Sequence, residues 1–112
     1  MIFIDRNTPC VPNAHWRWET VCHMWTDGDL EELHEFAESL GLKRAWFQPC
    51  DRPGLQPNRR SHYDLTPRVR KLALKAGVRE ACRSDVARWL GREDLIKEGE
   101  DERGRSEAEA QP

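Results

Sequence analysis

The sequence predicts a single small α/β domain with a short, mainly parallel sheet and flanking helices, followed by a disordered acidic tail. Three observations support this prediction. Short apolar runs alternate with segments of helical periodicity, as in layered α/β folds. A chain of 112 residues allows one domain and leaves little room for two. Beyond Ile96 the chain is charged and lacks apolar periodicity, which is typical of disorder. We place the domain at residues 1–92 and the tail at residues 93–112.

The predicted strands are short runs rich in β-branched or aromatic residues, and turn-forming residues end them. A strand around Ala45-Trp46-Phe47 ends at Pro49, because proline cannot donate to a ladder. The segments at 20–25 and 61–65 are either strands or extended connections. Strand candidates occupy residues 2–4, 20–25, 43–48, 61–65 and 78–82. The intervening segments 6–19 and 49–60 contain several prolines and are predicted to be loops.

Three helices follow from apolar spacing and capping residues. The first begins at Thr26, which caps it with Asp29 in a capping box, and ends at Gly41. Its apolar stripe comprises Leu30, Leu33, Phe36, Ala37 and Leu40.

The second helix begins at Thr66-Pro67, an N-cap followed by proline at the first helical position, and runs to about Ala76. The third is capped by Ser84-Asp85 and ends before Gly91. Ligands of open α/β sheets bind at the carboxyl ends of strands. This rule nominates Asp5, Gln48 and the Arg83-Ser84 corner.

Charge is strongly segregated although the net charge is only −2. Residues 1–42 carry 2 basic and 8 acidic side chains, residues 43–92 carry 13 and 4, and residues 93–112 carry 3 and 8. The basic middle block can form a face that attracts phosphate. Alternatively, the acidic segments neutralise this block within the molecule.

The cysteines and the amino terminus predict a cytoplasmic protein. Asp5 interrupts the apolar start after four residues, which does not fit a signal peptide, and no apolar run is long enough to span a membrane. The four cysteines form no C-x-x-C pair, so we expect reduced thiols rather than disulfides or a zinc finger.

Four polar residues are the candidate catalytic set: Asp5, His23, His62 and Asp64. Histidine with carboxylate can bind a divalent metal or perform acid–base chemistry near neutral pH. No metal-ligand pair at a recognised spacing supports this, and the sequence leaves the metal unidentified. Alternatively, the same residues line a ligand pocket without catalysis, or each side chain serves its own turn or strand end.

A second candidate set would bind a phosphate-bearing ligand. Arginine side chains near the start of the second helix could clamp a phosphate together with its free N–H groups. Aromatic side chains nearby could stack on a base. The predicted residues are Arg59, Arg60, Arg68, Tyr63 and Trp46. Nucleic acid is a weaker candidate, because the acidic tail competes for the same face.

Five tryptophans are many for 112 residues. Trp16, Trp18 and Trp25 surround a predicted loop. They either form an exposed patch for a protein partner or cover a small core.

Four segments in this order resemble a family of small uncharacterised phage and bacterial proteins classified as a domain of unknown function. They are MIFID at the start, CHMWTD at residues 22–27, ELHEFA at residues 32–37 and HYDLT at residues 62–66. The resemblance covers residues 1 to about 90 and implies a phage or bacterial cytosolic protein. It implies no activity.

The leading functional hypothesis is a small phage-type accessory protein that binds a phosphate-bearing ligand, a nucleotide. The sequence leaves open whether the protein is an enzyme that also hydrolyses a phosphoester with the help of a metal. The alternative is a non-enzymatic protein that binds and modulates a host protein. A homo-oligomer that pairs through sheet edges or tryptophans is a third hypothesis. We expect no membrane partner.

Overall fold

The computed structural model describes residues 1–50 and 52–96. The described chain is a five-stranded mixed sheet with three α-helices, which confirms the predicted α/β class. The strands are β1 (Ile2–Ile4), β2 (Thr8–Pro9), β3 (Thr20–Thr26), β4 (Tyr63–Leu65) and β5 (Arg79–Glu80). The helices are α1 (Leu30–Ser39), α2 (Pro67–Lys75) and α3 (Arg83–Leu90).

The sequence predicted a mainly parallel sheet, and this prediction is wrong. Strand β3 pairs antiparallel with β1, β2 and β4, and the one parallel pairing described is between β1 and β5. Parallel neighbours need a long crossover, usually a helix. The segment between β1 and β3 has no helix, so the chain turns back and pairs antiparallel.

Side chains along β3 alternate between the two faces of the sheet. Cys22 and Met24 face an apolar layer covered by α1 and α2, which also contains Ile4, Leu33 and Leu65. Trp25 faces the other side, where it packs with Phe3 and with Trp89 of α3. We call this second side the α3 face. His23 lies on it, because it stands between Cys22 and Met24 in the strand.

The helix ends follow local chemistry, with two corrections. Asp29, not Thr26, caps α1 by accepting from the N–H of Glu31 at 3.0 Å. Thr66 caps α2 as predicted, accepting from the N–H of Val69. Helix α3 begins after Cys82, and Asp85 in its first turn accepts from the Cys82 N–H. The earlier start lets Ser84 and Asp85 be buried within the helix.

The predicted strand at residues 43–48 is wrong. Residues Arg44–Trp46 form a short 3₁₀ helix, and only Gln48 makes a β-bridge, to His62. Arg44 is bonded to Glu31 and Glu38 of α1 at 2.7–3.2 Å. The segment thus lies against α1 and does not extend along the sheet.

The described part of the predicted tail contains a short 3₁₀ helix, Glu93–Leu95. The rest of that tail, residues 97–112, lies outside the described residues. Among the described residues, Cys10, Cys22, Cys50 and Cys82 form no disulfide with one another. None of the helices that the structure describes is long and apolar enough to cross a membrane.

Candidate metal centre

The fold brings the four residues of the candidate catalytic set together on the α3 face. Asp5 directly follows β1, and its N–H bonds to the carbonyl of His23. His23 and Asp64 are direct partners in the β3–β4 register, and His62 immediately precedes β4. We call these four residues the histidine–aspartate cluster. All four side chains are between 19 and 29 % exposed.

Asp5 fixes the orientation of His23. Its Oδ2 lies 2.7 Å from the ring Nδ1, and its Oδ1 accepts from the backbone N–H of His23 at 2.6 Å. A carboxylate only accepts, so Nδ1 carries the hydrogen and Nε2 points away from Asp5. This Nε2 lies 3.9 Å from Oδ1 of Asp64. Arg70 of α2 supports the corner by donating from Nε to the Asp5 carbonyl.

A backbone carbonyl fixes His62 in the same way. Its Nδ1 donates to the carbonyl of Arg60 at 2.8 Å, which leaves Nε2 directed at Asp64, 3.3 Å from Oδ1. Arg60 has a φ of 60°, a left-handed conformation that costs about 1–2 kcal/mol in a non-glycine residue. Its N–H and side-chain Nε hold this conformation by donating to the carbonyls of Trp89 and Leu90.

Asp64 is the shared partner of both imidazoles. Gln48 donates from Nε2 to the other carboxylate oxygen, Oδ2, at 2.6 Å. Burial opposes ionisation of Asp64, but a hydrogen bond from His62, which donates from Nε2 when its ring is charged, and one from Gln48 outweigh it and lower the pKa of Asp64. The hydrogen bond to Asp5 outweighs burial at His23 and raises the pKa of that imidazole. Because its pKa is lowered, the carboxylate of Asp64 is ionised at neutral pH.

These hydrogen bonds leave three electron-pair donors facing one another. One ligand atom from each of His23, His62 and Asp64 lies within 4.8 Å of the other two. When both rings are neutral, each Nε2 presents a lone pair to the carboxylate, and these groups repel unless a cation lies between them. A proton or a metal ion can supply that charge.

Trp89 forms one wall of the cluster. Its indole ring lies 5.7 Å from the His23 ring and 5.6 Å from the His62 ring, measured between centroids. Its Nε1 donates to the carbonyl of Ser61, and its ring also stacks on Trp25 at 4.4 Å between centroids. Helix α3 therefore both shields the imidazoles and joins them to the aromatic layer.

The predicted phosphate clamps do not converge on the cluster. Arg59 lies at the edge of the α3 face, where Nη2 pairs with Glu93 at 2.9 Å. The Nε of Arg60 is committed to the Leu90 carbonyl. Arg68 is exposed on the first turn of α2. These three arginines therefore do not form a common phosphate clamp.

The predicted stacking surface is also corrected. Tyr63 is fully buried in the layer under α1, where its hydroxyl bonds to Nδ1 of His34 at 2.7 Å. Tyr63 directly precedes Asp64 in β4, so the two side chains point to opposite sides of the sheet. Trp46 is 51 % exposed on the 3₁₀ helix beside Lys43.

Sequence reasoning did not identify two contributors to the cluster, Trp89 and the carbonyl of Arg60. A tryptophan in the apolar pattern of a helix is typical of a core position, so the sequence alone gives Trp89 no role at the site. A backbone carbonyl leaves no signal in residue type. Gln48, by contrast, is a predicted strand-end residue, although the strand predicted before it is absent and only its bridge to His62 places it beside Asp64.

The fold and this geometry define a small α/β protein with a candidate metal centre on one face of a mixed sheet. The chain belongs to the family described as protein of unknown function DUF4031, whose model matches residues 2–93. This range contains the whole histidine–aspartate cluster and confirms the resemblance to a domain of unknown function. No curated protein and no solved structure matched the chain.

Proposed function

We propose that the protein binds a divalent metal ion through His23, His62 and Asp64 and uses it to hydrolyse a phosphoester. The observation that carries the proposal is the convergence of two imidazole nitrogens and a carboxylate oxygen within 4.8 Å of one another. Three protein ligands leave a coordination position for water or substrate, as in catalytic zinc sites.

The outer contacts of the three ligands support this function. Metal-binding histidines usually donate their second ring N–H to a carboxylate or a backbone carbonyl. His23 donates to Asp5 and His62 donates to the Arg60 carbonyl. Gln48 orients Asp64. All three ligands are thus held before a metal arrives, which lowers the entropic cost of binding.

The ligand types favour a borderline metal over a hard one. Imidazole suits zinc and other late first-row metals, whereas magnesium prefers an all-oxygen shell. A metal held in this way lowers the pKa of its water and polarises a phosphoryl oxygen. Trp89 covers one side and excludes water from it, which strengthens electrostatic interactions there.

Calorimetric titration of the full chain with Zn²⁺ and Mn²⁺ tests metal binding. His62→Ala should weaken binding by more than about 100-fold, because it removes a direct ligand. His15→Ala is the matched control, since His15 is exposed and lies outside the cluster, and it should change nothing. Hydrolysis is then followed with a chromogenic phosphodiester and a phosphomonoester, each with and without metal.

Equal metal affinity in the His62→Ala and His15→Ala variants would contradict the metal centre. Tight metal binding without turnover of either ester would contradict the hydrolytic role and leave a metal-binding protein. Turnover that persists in His62→Ala would indicate a contaminating activity.

The predicted alternative, binding to a host protein, has less support. The patch predicted for it consists of Trp16, Trp18 and Trp25. Of these, Trp25 is buried and Trp16 is half-buried, donating from Nε1 to the Thr20 carbonyl. Trp18 remains 38 % exposed beside Arg17. One exposed indole is a small patch for a protein interface. Phage origin, a cytoplasmic location and self-association remain predictions.

A further inference from the structure

The α3 face contains a cavity of about 710 Å³ next to the histidine–aspartate cluster. Its aromatic lining consists of Phe3, Trp25 and Trp89. Its cationic lining consists of Arg59, Arg79 and Arg88. The volume lies within the range of roughly 300–1,000 Å³ typical of small-molecule sites. We call this space the arginine cavity.

A buried carboxylate positions two of the arginines. Asp85 is 5 % exposed, and its Oδ2 pairs with Nε of Arg79 at 3.0 Å. Its Oδ1 lies 3.6 Å from Nη1 of Arg88. One carboxylate thus faces two guanidinium groups of the cavity wall. Fixed guanidinium groups are suited to bind phosphate, often with two hydrogen bonds.

The hydrogen-bonding capacity of Arg79 is incompletely used. Its Nη2 is buried and has no acceptor among the residues that the structure describes. Its guanidinium lies over the ring of Phe3, 5.6 Å from the centroid. An anion in the cavity would give this group an acceptor, which buried donors in native proteins normally have.

Arg59 adds a third cation at the cavity wall, where its partner Glu93 is about half exposed. The other acidic side chain of the lining is Asp27, which pairs with the amino group of Met1 at 2.9 Å. Each of the three arginines thus has a carboxylate partner. The buried Nη2 of Arg79, which lacks an acceptor among the described residues, is the donor that favours an anionic ligand. The aromatic side chains of the lining offer a base an apolar surface.

We propose that the arginine cavity binds a mononucleotide, with its phosphate on the three arginines and its base against the aromatic side chains. The proposal rests on the proposed function for the fate of the ligand, because Trp89 contacts both imidazoles and also lines the cavity. Binding itself uses different residues from the metal centre and requires no metal.

The test is a calorimetric titration of the full chain in EDTA with the common ribonucleoside monophosphates, the matching nucleosides and inorganic phosphate. At least one nucleotide should bind about tenfold or more tightly than its nucleoside or phosphate alone. Arg59→Gln should weaken this binding about tenfold, the effect of one charged hydrogen bond. Arg68→Gln is the matched control: it also removes one positive charge, but from an exposed site outside the cavity lining.

Arg79→Lys is a second variant that keeps a positive charge beside Asp85 and so preserves folding. It removes the planar fork and should also weaken nucleotide binding. Three results would overturn the proposal: no nucleotide binding, phosphate alone binding as tightly as the nucleotide, or equal effects of Arg59→Gln and Arg68→Gln. Because EDTA is present, these results do not depend on the metal. Nucleotide binding in a chain that binds no metal would refute the proposed function alone.

Discussion

Nδ1 of His23 and Oδ2 of Asp5 lie 2.7 Å apart, although 18 positions separate the two residues in the chain. The same carboxylate accepts from the His23 backbone N–H through Oδ1. Asp5 thus fixes both the position of the strand residue and the rotation of its ring. This pair turns an ordinary strand histidine into one whose Nε2 faces Asp64.

The first prediction concerns Asp5→Asn, which keeps the side-chain shape and one acceptor oxygen. The amide cannot stabilise the Nδ1–H of His23 as the carboxylate does. Zn²⁺ affinity should fall about 10–100-fold, the usual effect of losing an outer-shell partner. Calorimetry measures the change, and circular dichroism should show an unchanged fold. Unaltered affinity would mean that His23 is not a ligand.

The second prediction uses the single tyrosine of the chain. Burial raises the pKa of Tyr63 above its usual value, with Glu38 and Glu31 adding to this and Arg44 opposing it. Ultraviolet titration of the native protein should therefore show ionisation above the ordinary value of about 10. In guanidinium chloride the phenol should titrate normally.

The sign of the stability effect follows from the same shift. A phenol whose pKa is raised by folding loses its proton more readily in the unfolded chain. The free energy of unfolding should thus fall as pH rises above about 10. Tyr63→Phe removes this dependence on pH but also loses the bond to His34. Native ionisation at the ordinary pKa would contradict the burial of Tyr63.

The third prediction compares two tryptophans. Trp89→Phe keeps a ring on Trp25 but loses the hydrogen bond to the Ser61 carbonyl. It should lower the free energy of unfolding by about 1–3 kcal/mol, because that carbonyl stays buried without a donor. Trp46→Phe, at a half-exposed site, should stay within about 0.5 kcal/mol of the parent. Urea unfolding gives both values, and equal losses would contradict the packing of α3.

The fourth prediction concerns thiol accessibility. Cys22 and Cys82 are buried, whereas Cys10 and Cys50 are partly exposed. Burial, reinforced by Asp5, raises the pKa of Cys22 to about 12, so its thiol stays protonated and unreactive at neutral pH. Ellman's reagent should react quickly with Cys10 and Cys50 alone in the native chain and with all four cysteines in denaturant. Fast reaction of all four in the native state would contradict the described core.

Local signals in the sequence predicted much of the fold. The apolar run at residues 2–4, the Thr66-Pro67 start of α2 and the Gly41 end of α1 are each decided by neighbouring residues, and the structure has all three. The segment at residues 43–48 has strand-like composition. The structure instead forms a 3₁₀ helix there, with Arg44 paired to Glu31 and Glu38 of α1, a contact that no local pattern reveals.

The cluster was predictable as a set of residue types but not as a geometry. The sequence marks Asp5 because it follows a predicted strand, and Asp64 because His62 precedes it by two positions. The pairing of His23 with Asp64 depends on the β3–β4 register, which is a long-range property. The predicted parallel order failed for the same reason, since short strands carry little information about their neighbours. The catalytic role of the four residues stays a prediction.

The alternation of side chains along β3 has a consequence for the alignment of the strands. If β3 slipped by one position against β4, the imidazole of His23 would turn into the apolar layer under α1 and α2. Cys22 and Met24 would then turn to the α3 face. Such a register shift would at the same time bury a polar imidazole and expose apolar side chains to water. The alternation of polar and apolar residues in β3 therefore also specifies the register. A chain with misaligned strands would lose both the candidate metal site and part of its stability.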